Sequence, residues 1–359
     1  MNSELQQIES FLRTEIAPFA NKIDRCRSAL KSAISQMGDR SWLALKVAPE
    51  LGGTGLTETE YRLLQISMAR ASGALTFLQT QHQSAVVKLA KSCDRLQQEF
   101  FPGVARGKSL VGVGFSHLRR PGVPMMQATE TAGGYLLSGK VPWITGYNYF
   151  THFILGATLA DGRELYGLLP FQDLIQPLGG KITIDRPMEL LAVTATNTVS
   201  ADLDRWFLDR DRLVGINPPG AIHLSSRGNI LNHGFYALGC AYAGLDILQT
   251  IAEKKQLAFL QESRQALLQK VEKHQAQAIA LMSENDTTYQ QKLNWRTAAI
   301  DLARRCSQAA VVASGGAANY AHSNAGRVYR EALLFSVSGQ TSDVMAASLK
   351  QLSDFNKSY

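Results

Sequence analysis

Cysteine is scarce. The 359 residues hold four, Cys26, Cys93, Cys240 and Cys306, far apart and with no Cys-x-x-Cys pair. That pattern implies neither a disulfide framework nor a zinc cluster. The seven histidines show no ligand spacing, so no metal is expected. No apolar run approaches the ~20 residues that a bilayer crossing needs, and no membrane association is expected. The N-terminus is polar and has no signal-peptide core, so the expectation is a cytoplasmic protein. Lys and Arg outnumber Asp and Glu by 37 to 30, a net charge of +7, which favours anionic partners. Basic runs with interleaved aromatics are missing, so nucleic acid is not expected as a partner. The glycine-rich loop Gly52-Gly53-Thr54-Gly55 is not followed by a Lys-Ser/Thr pair, which removes a phosphate loop from consideration.

What is present is a chain 45% hydrophobic and 19% charged, a globular composition with length for two or three domains. Leu5, Ile8, Leu12, Ile16 and Phe19 recur at helical spacing. A second helix is expected over Lys22 to Met37, with Gly38 as its stop. Thr57 and Glu60 fit a capping box that opens a helix through Ala71. After Gly107 the texture changes to short Val/Ile/Thr-rich runs: Leu110 to His117, Met125 to Thr131, and two runs joined by a hairpin at Asp161-Gly162. Lys181 to Asp185 and Ala192 to Ala201 continue the series. Helical periodicity returns with Leu231, Phe235, Leu238, Ala241 and Leu245. Further helices are expected over Gln256 to Met282, Tyr289 to Ala313, Arg327 to Phe335 and Thr341 to Leu352, with a polar break at 284–288. Long helices with short joints favour a four-helix bundle. The organisation expected is mainly α with a central β-domain: helices over 1–109, a β-domain over 110–210, and a helical bundle over 211–359.

One stretch organises the rest: Gly133-Gly-Tyr-Leu-Leu-Ser-Gly-Lys-Val-Pro-Trp-Ile-Thr-Gly146. Two glycines make a turn, and Tyr135 to Val141 reads as a strand broken at Gly139. Pro142 lacks an N–H and is expected to end regular pairing. Trp143 and Thr145 are then expected to face the same side. A flat apolar plate beside a small donor suits a planar heteroaromatic ring. A core Trp after a hairpin is the other reading.

That stretch resembles the "GYxLNGxKxWITN" segment of the acyl-CoA dehydrogenase family. Ala48 to Tyr61 resembles its "PExxGGxGLxxxE", and Gly315 to Ala332 resembles its "GGxGYxxxxxxxRxYRDA", matching at Gly315, Gly316, Arg327, Tyr329, Arg330 and Ala332. The resemblance implies an N-terminal helical domain, a middle β-barrel-like domain and a C-terminal four-helix bundle. It implies FAD as cofactor, an acyl-CoA or similar thioester as substrate, and α,β-oxidation with hydride transfer to flavin N5. An electron acceptor and a homodimer or homotetramer follow as partners. The cofactor-contact positions it points to are Phe115, Ser116, Trp143, Ile144, Thr145 and Thr341. Arg119, Arg120 and Arg330 are candidates for a phosphate or the substrate.

The chain departs from the family where the chemistry sits. The proton-abstracting Glu of "Tyr-Glu-Gly-Thr" falls at Gly339, and the alternative position for that Glu, on the first long C-terminal helix, falls at Asn229. Gly339 retains a backbone N–H that can meet a thioester carbonyl. His233 follows Asn229 by one helical turn, and a neutral imidazole is a candidate base or positioning donor. A helix His bonded to a carbonyl is the plain alternative. Two other functions stay open: a flavin-dependent monooxygenase on the same fold, and a non-catalytic relative that binds a partner.

Overall fold

The structure is a computed structural model and describes residues 3–283 and 287–353. The expected polar break at 284–288 therefore lies mostly outside the described residues.

The first unit is helical: α1 (Ser3–Phe11), α2 (Ala20–Arg25), α3 (Arg27–Asp39), α4 (Glu58–Ala71), α5 (Gly73–Leu89) and α6 (Asp94–Val104). Leu5, Ile8 and Phe11 of α1 are buried, as their spacing requires. The helix expected over Lys22 to Met37 is two helices, because the backbone is extended at Cys26 (φ −107°, ψ 114°). Gly38 does not end the second one, which runs on to Asp39. α4 opens on a complete capping box. Glu60 N–H donates to Thr57 Oγ1 (3.3 Å), and Thr57 N–H donates to the Glu60 carboxylate (2.9 Å).

The middle unit is one nine-stranded sheet. Its strands are β1 (Val111–Gly114), β2 (Met126–Thr131), β3 (Gly134–Ile144), β4 (His152–Leu159), β5 (Glu164–Pro170), β6 (Leu174–Ile175), β7 (Lys181–Ile184), β8 (Val199–Asp209) and β9 (Leu213–Asn217). The order is β6-β7-β8-β3-β2-β4-β5-β9, with β1 parallel to β4. β9 pairs with β5 from Glu164↔Asn217 onward, so the sheet extends past residue 210 and covers an edge that would otherwise stand open. β1 ends early, at Gly114. The chain then coils into a short turn, Ser116–Arg119, because the His117 ring folds back to the Gly156 carbonyl (Nε2···O 2.9 Å).

The last unit holds α7 (Ala221–Gly228), α8 (Asn232–Lys255), α9 (Ala258–Ser283), α10 (Tyr289–Ser314), α11 (Asn324–Val337) and α12 (Ser342–Ser353). α8 is long and apolar enough to cross a membrane, but 67% of that stretch is buried inside the protein. It packs between α4, α9, α10 and α11. Two polar joints lock the units together. Glu331 of α11 is fully buried, accepts both 2.8 Å bonds from Arg327 Nη1, and accepts the Gly73 N–H at the start of α5 (3.1 Å). Asp24 of α2 is buried, accepts the Val193 N–H (2.7 Å) and pairs with Arg330 (3.3 Å).

Candidate functional site

Pro142 does not end β3; it bulges it. Pairing with β8 holds through Val141↔Ala201, slips, and resumes at Ile144↔Val199. A residue without an N–H is tolerated at such an irregularity. The slip leaves Trp143 46% exposed, while Ile144 is fully buried. Thr145 lies just past the strand and is buried, its hydroxyl 2.9 Å from that of Thr198. The joint face expected from Trp143 and Thr145 is therefore not formed by their side chains. The indole stands open and the threonine hydroxyl is occupied. Gly146 then turns the chain at φ +101°, and a Cβ there would sit 2.2 Å from the Phe150 ring. Only glycine fits this corner.

β1 delivers the next residues. Gly114 abuts the Val141 and Ile144 side chains, so Phe115 and Ser116 emerge beside the end of β3. Phe115 is half-buried and meets Tyr166 edge-on at 5.6 Å. Ser116 is exposed. Arg119 is half-buried, and its Nε donates to Ser226 Oγ on α7 (2.9 Å). Burial lowers its pKa. Arg120 is exposed, its Nη1 lying 3.2 Å from Met125 Sδ.

A second group of candidates is brought together by α8, α10 and the backbone after α11. Gly339 has φ +58°. A Cβ on it would lie 2.2 Å from His233 Nε2. The imidazole thus fills the space that any side chain at 339 needs, and the two positions highlighted by the sequence are in direct contact. The Ser338 and Gln340 amides return to the Leu334 and Val337 carbonyls. The Gly339 N–H donates no hydrogen bond among the described residues. Its carbonyl is held by Arg296 Nη2 (3.0 Å), which also takes Ser338 O (2.8 Å), while Nη1 takes Ile230 O (3.4 Å). Arg296 is 2% exposed, and burial lowers its pKa to about 10. It staples the segment entering α8 to the segment leaving α11. His233 Nδ1 is buried without a partner, and its ring stands edge-on to Tyr236 at 5.5 Å. Burial, then the positive charges of Arg296, Arg119 and Arg62, hold its pKa well below the usual histidine range. The ring is neutral at neutral pH.

The remaining candidates have partners of their own. Thr341 caps α12, accepting the Val344 N–H at its hydroxyl (3.3 Å). Arg330 is bound to Asp24, so it serves the joint between units rather than a free phosphate site. Asn229 is exposed and donates to Ser225 O (2.9 Å). Arg296 was not a sequence candidate. Its one signal is phase: it sits three residues after Leu293 and seven before Ala303, both buried, on the core face of α10.

Residues 4–108 match the family described as "Acyl-CoA dehydrogenase, N-terminal domain". The chain is 22% identical over 362 residues to the probable acyl-CoA dehydrogenase YngJ of Bacillus subtilis, covering 94% of each. It is 25% identical over 248 residues to benzylmalonyl-CoA dehydrogenase of Aromatoleum aromaticum, covering 66% of this chain and 63% of that protein. Among solved structures, a glutaryl-CoA dehydrogenase from Mycobacterium smegmatis in complex with FADH2 superposes with a TM-score of 0.81 at 16% identity, covering 98% and 95% of the two chains. KijD3, in complex with FMN and a dTDP-amino-keto sugar, superposes at 0.71 with 16% identity, covering 97% and 92%. Residues 4–108 thus match the N-terminal domain of the acyl-CoA dehydrogenases, and the chain as a whole has the acyl-CoA dehydrogenase fold.

Proposed function

We propose that this protein is an FAD-dependent oxidoreductase acting on an acyl thioester, with the acyl carbonyl received at Gly339. The observation that carries the reading is the Gly339 backbone: its carbonyl is fixed by Arg296 while its N–H is left free. A fixed, unpaired amide is what a carbonyl oxygen gaining negative charge requires.

The residues at the end of β3 suit the flavin ring. Trp143 is 46% exposed and offers an aromatic surface, and exposed Ser116 is a candidate donor. Ile144 is sealed in the core and has only its backbone to offer. Bound FAD supplies the two-electron acceptor. The chain's own residues do the rest. The Gly339 N–H polarises the carbonyl and so acidifies the adjacent C–H. Neutral His233 holds the nearest basic lone pair to Gly339, a weak base in a site of cations. Electrons leave to a separate acceptor. Self-association fits the apolar stripes on α11 (Tyr329, Leu333, Val337) and α12 (Met345, Leu349, Leu352), all exposed.

The test is anaerobic titration of the FAD-loaded protein with short acyl-CoA esters. The expected result is loss of the oxidised flavin band, slowed in His233→Ala. A flavin that stays oxidised with every acyl-CoA tried rules the reading out. A second reading, a flavin-dependent monooxygenase, is favoured by the charges around His233, which are guanidinium groups. Chemistry that needs no carboxylate base suits such a site. It predicts instead a flavin reduced by an external donor and reoxidised rapidly by oxygen only when substrate is present.

A further inference from the structure

His233 makes no hydrogen bond among the described residues, and its Nδ1 is buried without a partner. A ring without hydrogen bonds takes its place from what packs on it. On one side that is the Gly339 backbone. On another it is Tyr236, one turn along α8, whose ring stands at 80° to the imidazole with centroids 5.5 Å apart. Tyr236 is 5% exposed and packs against Phe335 of α11 at 5.8 Å. Ring contacts tolerate sliding; the Tyr236 hydroxyl is what is fixed. It accepts from Gln65 Nε2 on α4 (2.6 Å) and lies 3.1 Å from Thr80 Oγ1 on α5. Close approach of the helices allows that reach: a Cβ on Gly239 of α8 would sit 2.4 Å from Ile66 O of α4. The Gln65 amide cannot turn round. Its Oε1 accepts from Arg62 Nη1 (2.7 Å), and a guanidinium has only donors, so the amide nitrogen must face Tyr236. Arg62 is oriented in turn by Glu58, which accepts from its Nε (2.6 Å). Glu58, Arg62 and Gln65 follow one another at helical spacing on one face of α4. Gln65 is 1% and Arg62 4% exposed, so the series is shielded from water.

We propose that Gln65 is a positioning residue for the His233–Gly339 pair: by holding the Tyr236 hydroxyl, it sets where the imidazole stands against the Gly339 backbone. This rests on the reading above, in which that pair receives the acyl carbonyl. The effect of Gln65 passes through Tyr236, so loss of the hydroxyl alone should reproduce it. Position matters here because a misplacement of about 1 Å at a reacting group can cost about 100-fold in rate. A buried guanidinium, amide and phenol between helices would be destabilising if left unpaired. The Gln65 amide and the Tyr236 hydroxyl leave no buried polar atom unpartnered, and Arg62 fixes the direction in which the amide bonds.

The experiment labels histidine with nitrogen-15 in the FAD-loaded protein and follows the His233 imidazole by NMR, its signals assigned by their loss in His233→Ala. The proteins are the parent, Gln65→Leu, Gln65→Glu and Tyr236→Phe. Stopped-flow reduction of the flavin by butyryl-CoA gives a limiting rate and a half-saturating concentration for each. Gln65→Leu and Tyr236→Phe are expected to shift or broaden the His233 signals. They are expected to lower the limiting rate about 10- to 100-fold and leave half-saturation unchanged. Gln65→Glu keeps an oxygen for Arg62 and can accept the Tyr236 hydroxyl proton. It is expected to keep the parent's signals and rate, which a residue that merely fills space would not explain. His233 signals and rate unchanged in Tyr236→Phe overturn the proposal, even where Gln65→Leu does not fold. So does a Gln65→Glu variant as impaired as Gln65→Leu. If butyryl-CoA reduces no flavin in the parent, the thioester reading falls and the His233 signals alone decide. Moved in Tyr236→Phe and kept in Gln65→Glu, they leave the positioning role standing; unmoved in Tyr236→Phe, they bring both down.

Discussion

Glycine 339 is expected to tolerate a methyl group only when His233 is removed. In Gly339→Ala two penalties act. At φ +58° the residue is left-handed, which costs a residue with a Cβ about 1–2 kcal/mol. The added carbon would also lie 2.2 Å from His233 Nε2, and the ring has little room to move because its Nδ1 edge is buried and Tyr236 flanks it. Overpacking of this kind costs about 1–3 kcal/mol. The single variant should therefore lose about 2–5 kcal/mol. In a His233→Ala background the collision disappears and only the backbone penalty remains. The double-mutant cycle should give a coupling of about 1–3 kcal/mol. Urea unfolding of the four proteins, read by midpoint and slope, measures it. Equal destabilisation by Gly339→Ala in both backgrounds would show that the ring does not fill the space beside Gly339, and the description of the site would fail.

Trp143→Ala should weaken FAD binding at least tenfold while costing under about 1 kcal/mol of stability, because the indole is 46% exposed; flavin retention on gel filtration and urea midpoints report the two effects separately. Arg330→Met should destabilise the fold and leave flavin and acyl-CoA binding unchanged, since its partner is Asp24; weaker ligand binding with unchanged stability contradicts this. His82 and His117 have pKa values lowered to about 4 by burial, and His233 is lowered too. These groups stay neutral in the folded chain while the unfolded chain takes up protons. Their contribution is complete above about pH 6.5 and is lost as pH falls from there towards 4. Replacing His117 with Gln should flatten the fall in urea midpoint over that window, and an unchanged slope counts against it. Leu333→Asp combined with Leu349→Asp should reduce the oligomer to monomer by sedimentation velocity; a parent that is monomeric at all concentrations removes that interface.

Element types were readable where period and capping agreed. Thr57 and Glu60 announced α4, and Asp161-Gly162 announced the β4–β5 hairpin, because both signals are local and chemical. The break at Cys26 carried no local signal, and the bulge at Pro142 was not readable because a tertiary partner decides it. β8 re-pairs beyond Pro142, so the proline bends the strand instead of ending it. The site was readable as positions but not as contacts. Sequence singled out both His233 and Gly339, yet nothing in their 106-residue separation says that the ring lies on the glycine. Arg296 shows the limit most clearly. A lone arginine in an apolar phase resembles an exposed residue out of register until the carbonyls of Ile230, Ser338 and Gly339 are seen around it.

A flavin bound here is expected to stack on the exposed indole of Trp143. Titrating the flavin-free protein with FAD while following flavin fluorescence tests it most directly. Stacking on the indole should give saturable quenching with one flavin per chain, and a quenching amplitude sharply reduced in Trp143→Ala. A colourless protein that leaves the fluorescence of added FAD unchanged would contradict it.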